Sequence, residues 1–106
     1  MSLDVYLIKE GETVYSDNIT HNLNKMASEA GIYEALWRPE EINAIIAKDL
    51  IMILEKGIFD LKSRRQHFEK FNASNGWGKY DNLLDFATSY FEACKENPET
   101  IIYVSR

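Results

Sequence analysis

Apolar and polar residues alternate strictly at the start of the chain. Leu3, Val5 and Leu7 fall on one side of an extended segment and Asp4, Tyr6 and Ile8 on the other, which predicts a strand over 3–9. Glu10-Gly11-Glu12 supplies a turn, and Thr13 to Ser16 is the returning strand of a hairpin. The period then lengthens. Leu23, Met26, Ala27 and Ala30 recur at helical spacing behind four candidate N-caps, Ser16, Asp17, Asn18 and Thr20, whose side-chain oxygens can accept from free helix N–H groups. Gly31 suits the left-handed position after the helix, with Ile32 folding back onto Met26 or Ala27 in a Schellman ending.

Pro39 predicts the first turn of a further helix, where its missing N–H costs nothing, and Glu40 and Glu41 follow where the helix dipole favours acids. Ile42, Ile45, Ile46, Leu50, Leu54, Ile58 and Leu61 continue the stripe as one long helix or two abutting ones. Asn43 and Gly57 weaken that run. Arg64 and Arg65 stand near its C-terminal end, and Phe68 and Phe71 pack back from a short final turn. Asn72 to Lys79 reads as a loop. The last helix runs from about Tyr80 to Lys95, turns Leu83, Leu84, Ala87, Tyr90, Phe91 and Cys94 to the core, and is stopped by Asn97-Pro98. Thr100 to Ser105 alternates again as a strand. The expected fold is α+β: an N-terminal β-hairpin, three to four helices, and a C-terminal strand completing a small antiparallel sheet packed on one face by helices.

The 106 residues make a single domain over 1–106, because smaller pieces would not bury a core. No apolar run reaches the roughly 20 residues of a membrane span, and MSLDVYLIKEG lacks the basic and apolar regions of a signal peptide. One cysteine precludes an internal disulfide, so the expected setting is reducing and cytoplasmic. A net charge of −5 argues against a nucleic-acid polymer as partner, but not against a small anion held locally.

Two stretches concentrate chemistry, Thr20 to Glu41 and Asn72 to Tyr80. His21 and Asn22 are donors to a phosphate or carboxylate at a helix start, or simple caps. Trp37-Arg38 is a stacking and charge pair; alternatively, Trp37 closes the core while Arg38 pairs with Glu40 or Glu41. In Asn75-Gly76-Trp77-Gly78 the glycines allow close backbone approach to a ligand beside an indole wall, or else Trp77 plugs a gap between helices. Tyr33 and Tyr80 are further candidate walls. His67, in a charged turn, is expected to face solvent. The two histidines lack a matching Cys or acidic cluster, so no metal is expected. No dinucleotide or P-loop motif occurs, so no cofactor is expected either. Cys94 falls on an apolar stripe and is expected to be a buried structural thiol.

The segments Thr20-His21-Asn22-Leu23, Ala30-Gly31-Ile32-Tyr33, Leu36-Trp37-Arg38-Pro39-Glu40-Glu41, Ser74-Asn75-Gly76-Trp77-Gly78 and Val104-Ser105-Arg106 together carry a resemblance. The chain resembles a family of small proteins encoded by bacteriophages, prophages and other mobile elements. The likeness runs over nearly the whole chain. Other members carry proline before the position of Phe68; Arg65 occupies that neighbourhood here, so the helix is expected to run on further. The resemblance implies a phage or mobile-element origin, a bacterial cytoplasm and, by analogy, action on host defences.

The expected function is a non-enzymatic pocket for a small anionic, nucleotide-derived ligand, built from His21, Asn22, Tyr33, Trp37, Arg38, Asn75, Trp77 and Tyr80, with a counter-defence role. The alternative is an inhibitor or immunity-type module acting on a host protein, anchored by Trp37 or Trp77. A third reading is a small hydrolase using His21. A homodimer is a further expectation, from an exposed edge strand and two copies closing a shared pocket.

Overall fold

The computed structural model describes residues 2–74, 76 and 78–106. Strand β1 (Ser2–Lys9) pairs antiparallel with β2 (Glu12–Thr20) through a turn at Glu10 and Gly11, both with positive φ. The register skips Val14 between the Leu7–Tyr15 and Ile8–Thr13 pairs, a bulge that adds twist. Strand β3 (Ile101–Ser105) pairs antiparallel with the other edge of β1, giving the order β2-β1-β3. Leu3, Val5 and Leu7 are fully buried beneath the helices, as their alternation predicts. The opposite face carries the Tyr6–Tyr103 ring pair, with centroids 5.6 Å apart.

β2 runs past the predicted Ser16 to Thr20. Asp17 and Asn18 are therefore strand residues, not caps, and Asn18 Nδ2 donates across the ladder to Asp4 Oδ1 at 2.6 Å and to Ser2 Oγ at 2.9 Å. Of the four candidates, Thr20 caps: its hydroxyl accepts from the Asn22 N–H at 3.2 Å. A 3-10 turn over His21–Leu23 leads into α1 (Asn24–Glu29). Gly31 closes that helix with φ of 77°, while its N–H reaches Ser28 O and the Ile32 N–H reaches Ala27 O, the two bonds of a Schellman ending. Helix α2 (Tyr33–Trp37) follows directly.

Neither the one long helix nor the two abutting helices expected from Pro39 form. Pro39–Ile42 is a single 3-10 turn that ends at Asn43, in the left-handed region with φ of 59°. The chain then extends, and Ile46 bridges Ile101 on the outer edge of β3. Asp49 Oδ2 accepts from the Ile45 and Ile46 N–H groups at 2.9 and 3.1 Å, restarting the chain as a 3-10 turn over Ala47–Leu50 and then α3 (Ile51–Ser63). Ile42 and Ile45, assigned to the stripe by spacing alone, are exposed as a result. The helix pauses at Arg64 and resumes as α4 (Arg65–Glu69), so the chain runs on with a break. Helix α5 (Tyr80–Glu96) ends at Asn97. One hydrophobic cluster joins the inner sheet face to α1, α2, α3, α4 and α5. The architecture is the expected α+β fold, with the helical part divided into five α-helical segments among the described residues. None of these helices is long and apolar enough to cross a membrane.

Candidate functional site

The 3-10 turn after β2 delivers His21 to the corner between α1 and α2. There the Trp37 indole N–H donates to His21 Nδ1 at 2.8 Å. Trp37 is only 2% exposed, so its N–H needs this partner. Its ring stacks on Tyr33, with centroids 5.5 Å apart and planes 11° from parallel. The Tyr33 hydroxyl in turn accepts from Arg38 Nε at 3.4 Å, and Arg38 lies 3.9 Å from the Glu41 carboxylate. His21, Trp37, Tyr33 and Arg38 thus form one connected chain across residues that sequence reasoning had singled out separately.

The role of Trp37 differs from a pocket wall. One ring face is occupied by Tyr33 and the residue is buried, so it closes the core and orients the imidazole. The bond has a chemical consequence for His21. An Nδ1 that accepts from an indole holds a lone pair, and the neutral ring then carries its proton on Nε2, at the edge away from Trp37. A hydrolytic histidine is oriented by an acceptor such as a carboxylate. Here the orienting group is a donor.

Arg106 was missed as a site residue, although it sits in one of the segments quoted for the family resemblance. Its Nη1 donates to the Trp37 carbonyl at 2.7 Å and lies 3.2 Å from the Glu40 carboxylate. A cation therefore satisfies an orphan carbonyl at the end of α2. Glu40 is paired with Arg106, and Arg38 with Glu41.

The second chemistry-bearing stretch does come to the first. Its ends are tied by the Ala73 N–H to Gly78 O bond at 3.0 Å and by the Tyr80 N–H to Asn72 Oδ1 bond at 2.7 Å. Gly78 has φ of 110°, and a Cβ there would lie 3.1 Å from Thr20 Cγ2, 3.2 Å from Leu23 Cγ and 3.4 Å from Asn22 Cβ. A left-handed conformation and a close approach both demand glycine at this junction. Beside it an open cleft of about 500 Å³ is lined by His21, Asn22, Asn24, Lys25, Ala73 and Ser74. Asn24, Lys25 and Ser74 were not singled out as site residues, although they fall within the stretches Thr20 to Glu41 and Asn72 to Tyr80, and Ser74 opens one of the quoted segments. The expected site residues Asn75 and Trp77 lie outside the described residues.

Tyr80 is placed elsewhere. It is 2% exposed, its hydroxyl donates to Leu61 O at 2.6 Å, and the Arg65 guanidinium lies 4.9 Å from its ring centroid. It fastens α5 to α3 and α4 rather than walling a pocket. His67 is half covered, 3.3 Å from the Glu29 carboxylate, with its ring edge-on to Phe68 and Phe71. Cys94 is buried as expected, and burial pushes its thiol up to about 12, which keeps it protonated and unreactive. Among the described residues, no group of three or more His, Cys, Asp and Glu is arranged to hold a metal.

A second cleft, also about 500 Å³, separates the last residues of β2 from α5. Asp17 to Thr20 form one wall, Asn82, Asp85, Phe86 and Ser89 the other, and Gly76 and Gly78 lie at its end. Comparison with family models, curated proteins and solved structures found no match to this chain.

Proposed function

We propose that the chain is a small binding protein that takes an anionic, nucleotide-derived ligand in the cleft between the start of α1 and Ala73–Ser74. The observation that carries this reading is the Trp37 to His21 bond, which fixes the imidazole tautomer and leaves Nε2–H as a donor on the ring's far edge. Lys25 supplies a positive charge in the same cleft, and Asn24 and Ser74 supply further polar groups. Its volume falls within the usual range for small-molecule sites, roughly 300–1,000 Å³. Tyr33 and Arg38, two and three contacts from His21 along the same chain, do not line the cleft and act on it only through Trp37. In a phage or mobile-element protein, such a pocket would sequester a host signalling nucleotide. Calorimetry against cyclic mononucleotides, cyclic dinucleotides and inorganic phosphate tests it. One nucleotide is expected to bind, with affinity falling about tenfold in His21→Ala and in Lys25→Ala, the scale of one lost charge-assisted bond. Absence of heat with every ligand, or binding indifferent to both substitutions, sinks the reading.

A different observation favours a protein-docking module. The cleft between β2 and α5 pairs an edge strand with two carboxylates, Asp17 and Asp85, and suits an extended basic segment of a host protein. Trp37, being buried, is not its anchor. A host protein captured by the wild type but lost with Asp17→Lys/Asp85→Lys would support it. Capture unaffected by that double change removes this cleft as the docking site.

A further inference from the structure

Two of the most exposed large apolar side chains belong to α3: Met52 is 81% exposed and Phe59 72%. They are seven residues apart and border one surface depression together with Glu55 and Lys56. Positions separated by three, four and seven residues share one stripe of a helix. The opposite side of α3 already buries Leu54, Gly57, Ile58 and Leu61, so the monomer offers this stripe nothing to pack against.

The order of residues along the stripe says what covers it. Met52, Glu55, Lys56 and Phe59 are symmetric in position about the midpoint between Glu55 and Lys56. An antiparallel helix pair with its twofold axis at that midpoint sets Met52 against Phe59 of a second copy, and Glu55 against Lys56 of that copy. Each contact then occurs twice, as an isologous interface requires. Both charges of the stripe are neutralised by the same operation that covers both apolar groups. A foreign partner would be selected by a stripe of one sign; this one, carrying one charge of each sign in register, complements itself. Beside Phe59, a cleft of about 490 Å³ bordered by Ile53, Gly57 and the Ala30–Gly31 helix ending offers a socket for the incoming Met52 side chain.

We infer that two copies of this chain pair through the solvent face of α3, as an antiparallel helix pair held by Met52–Phe59 and Glu55–Lys56 contacts. The dimer expected from an exposed sheet edge is thereby moved to a helix. A contact built on one helix pair is smaller than a standard interface, so dissociation in the range of ~10–100 µM is expected.

Sedimentation velocity between ~1 µM and ~1 mM, bracketing that range, tests the assignment. The wild type should pass from monomer to dimer, and Phe59→Lys should remain monomeric with an unchanged circular-dichroism melt. Glu55→Lys alone and Lys56→Glu alone each put like charges opposite one another twice, and each should weaken association about tenfold. Mixed in equal amounts, these two variants should recover a heterodimer, because both opposed pairs become attractive. A wild type that stays monomeric throughout overturns the inference. So does a dimer that persists in Phe59→Lys, or a mixture of the two charge variants that associates no better than either alone.

Discussion

Helices α3 and α5 pack against the same core, but they treat their outer faces differently. The outward positions of α5 are polar: Asp81, Asn82, Asp85, Ser89, Glu92, Lys95 and Glu96. Those of α3 alternate charge with Met52 and Phe59. Their starts differ as well. α5 is opened by neutral amides, with Asn82 Oδ1 accepting from the Lys79 N–H and Asn72 Oδ1 from the Tyr80 N–H. The entry to α3 is held by an ionised group, the Asp49 carboxylate. The monomer accounts for both faces of α5, but for only one face of α3. Among the described residues Met52 and Phe59 are the two most exposed large apolar side chains; the others stand on β2, on β3 and in the Ile42–Ile45 segment.

The sharpest way to break this contrast is on the inner face of α3. Leu54→Ala should cost about 3 kcal/mol in urea unfolding, because the residue is fully buried and its removal leaves a cavity. A loss below about 1 kcal/mol would mean that α3 is not held to the core as described. Next comes the charge at its start. The two backbone N–H groups of Ile45 and Ile46 hold the Asp49 carboxyl below its ordinary value. A depressed folded pKa contributes stability above the unfolded pKa and loses it as the pH falls through the folded one. Asp49→Asn should thus cost about 1 kcal/mol at neutral pH, the usual scale of a lost cap. The two melting curves should converge as the pH drops into and below the carboxylate range. Parallel curves down to low pH would show that the charge contributes nothing.

On α5 the corresponding weak point is inside. The Tyr90 hydroxyl is buried, with no hydrogen-bond partner among the described residues, and desolvation pushes its pKa upward. Tyr90→Phe should be neutral or stabilise by up to about 1 kcal/mol, because it removes an unpaid desolvation cost while keeping the ring against Tyr15 and Phe86. A clear destabilisation would reveal a partner for that hydroxyl. Smallest of all, Phe59→Ser should change stability at micromolar dilution by less than about 0.5 kcal/mol, as for an ordinary surface position. A larger loss would place Phe59 in the monomer's own packing.

What the residue pattern disclosed follows the range of the forces involved. The hairpin, the Schellman ending at Gly31 and the length of α5 are local, set by alternation, one glycine and Asn97-Pro98. The helical stripe was extended too far back because Ile42, Ile45 and Ile46 keep helical spacing while their fate is decided at a distance, by the pairing of Ile46 with Ile101. Asn18 was misread as a cap for the same reason, since its partners Ser2 and Asp4 lie across the sheet. At the candidate site, His21, Tyr33, Trp37 and Arg38 were legible as residues. Their connection was not, because an indole to imidazole bond between α2 and the turn before α1 depends on how that corner packs. The contribution of Arg106 was equally hidden, its partners being Trp37 and Glu40, far back in the chain.

The Ile46–Ile101 bridge also bears on self-templating growth. With the Ile102 N–H already bonded to Ile45 O, and the Thr100 carbonyl to the Ala47 N–H, the outer rim of β3 is partly sealed by the protein's own backbone. The longer open rim is that of β2, where the bulge at Val14 and the acidic Asp17 work against a flat, neutral template for fibrillar extension or strand exchange.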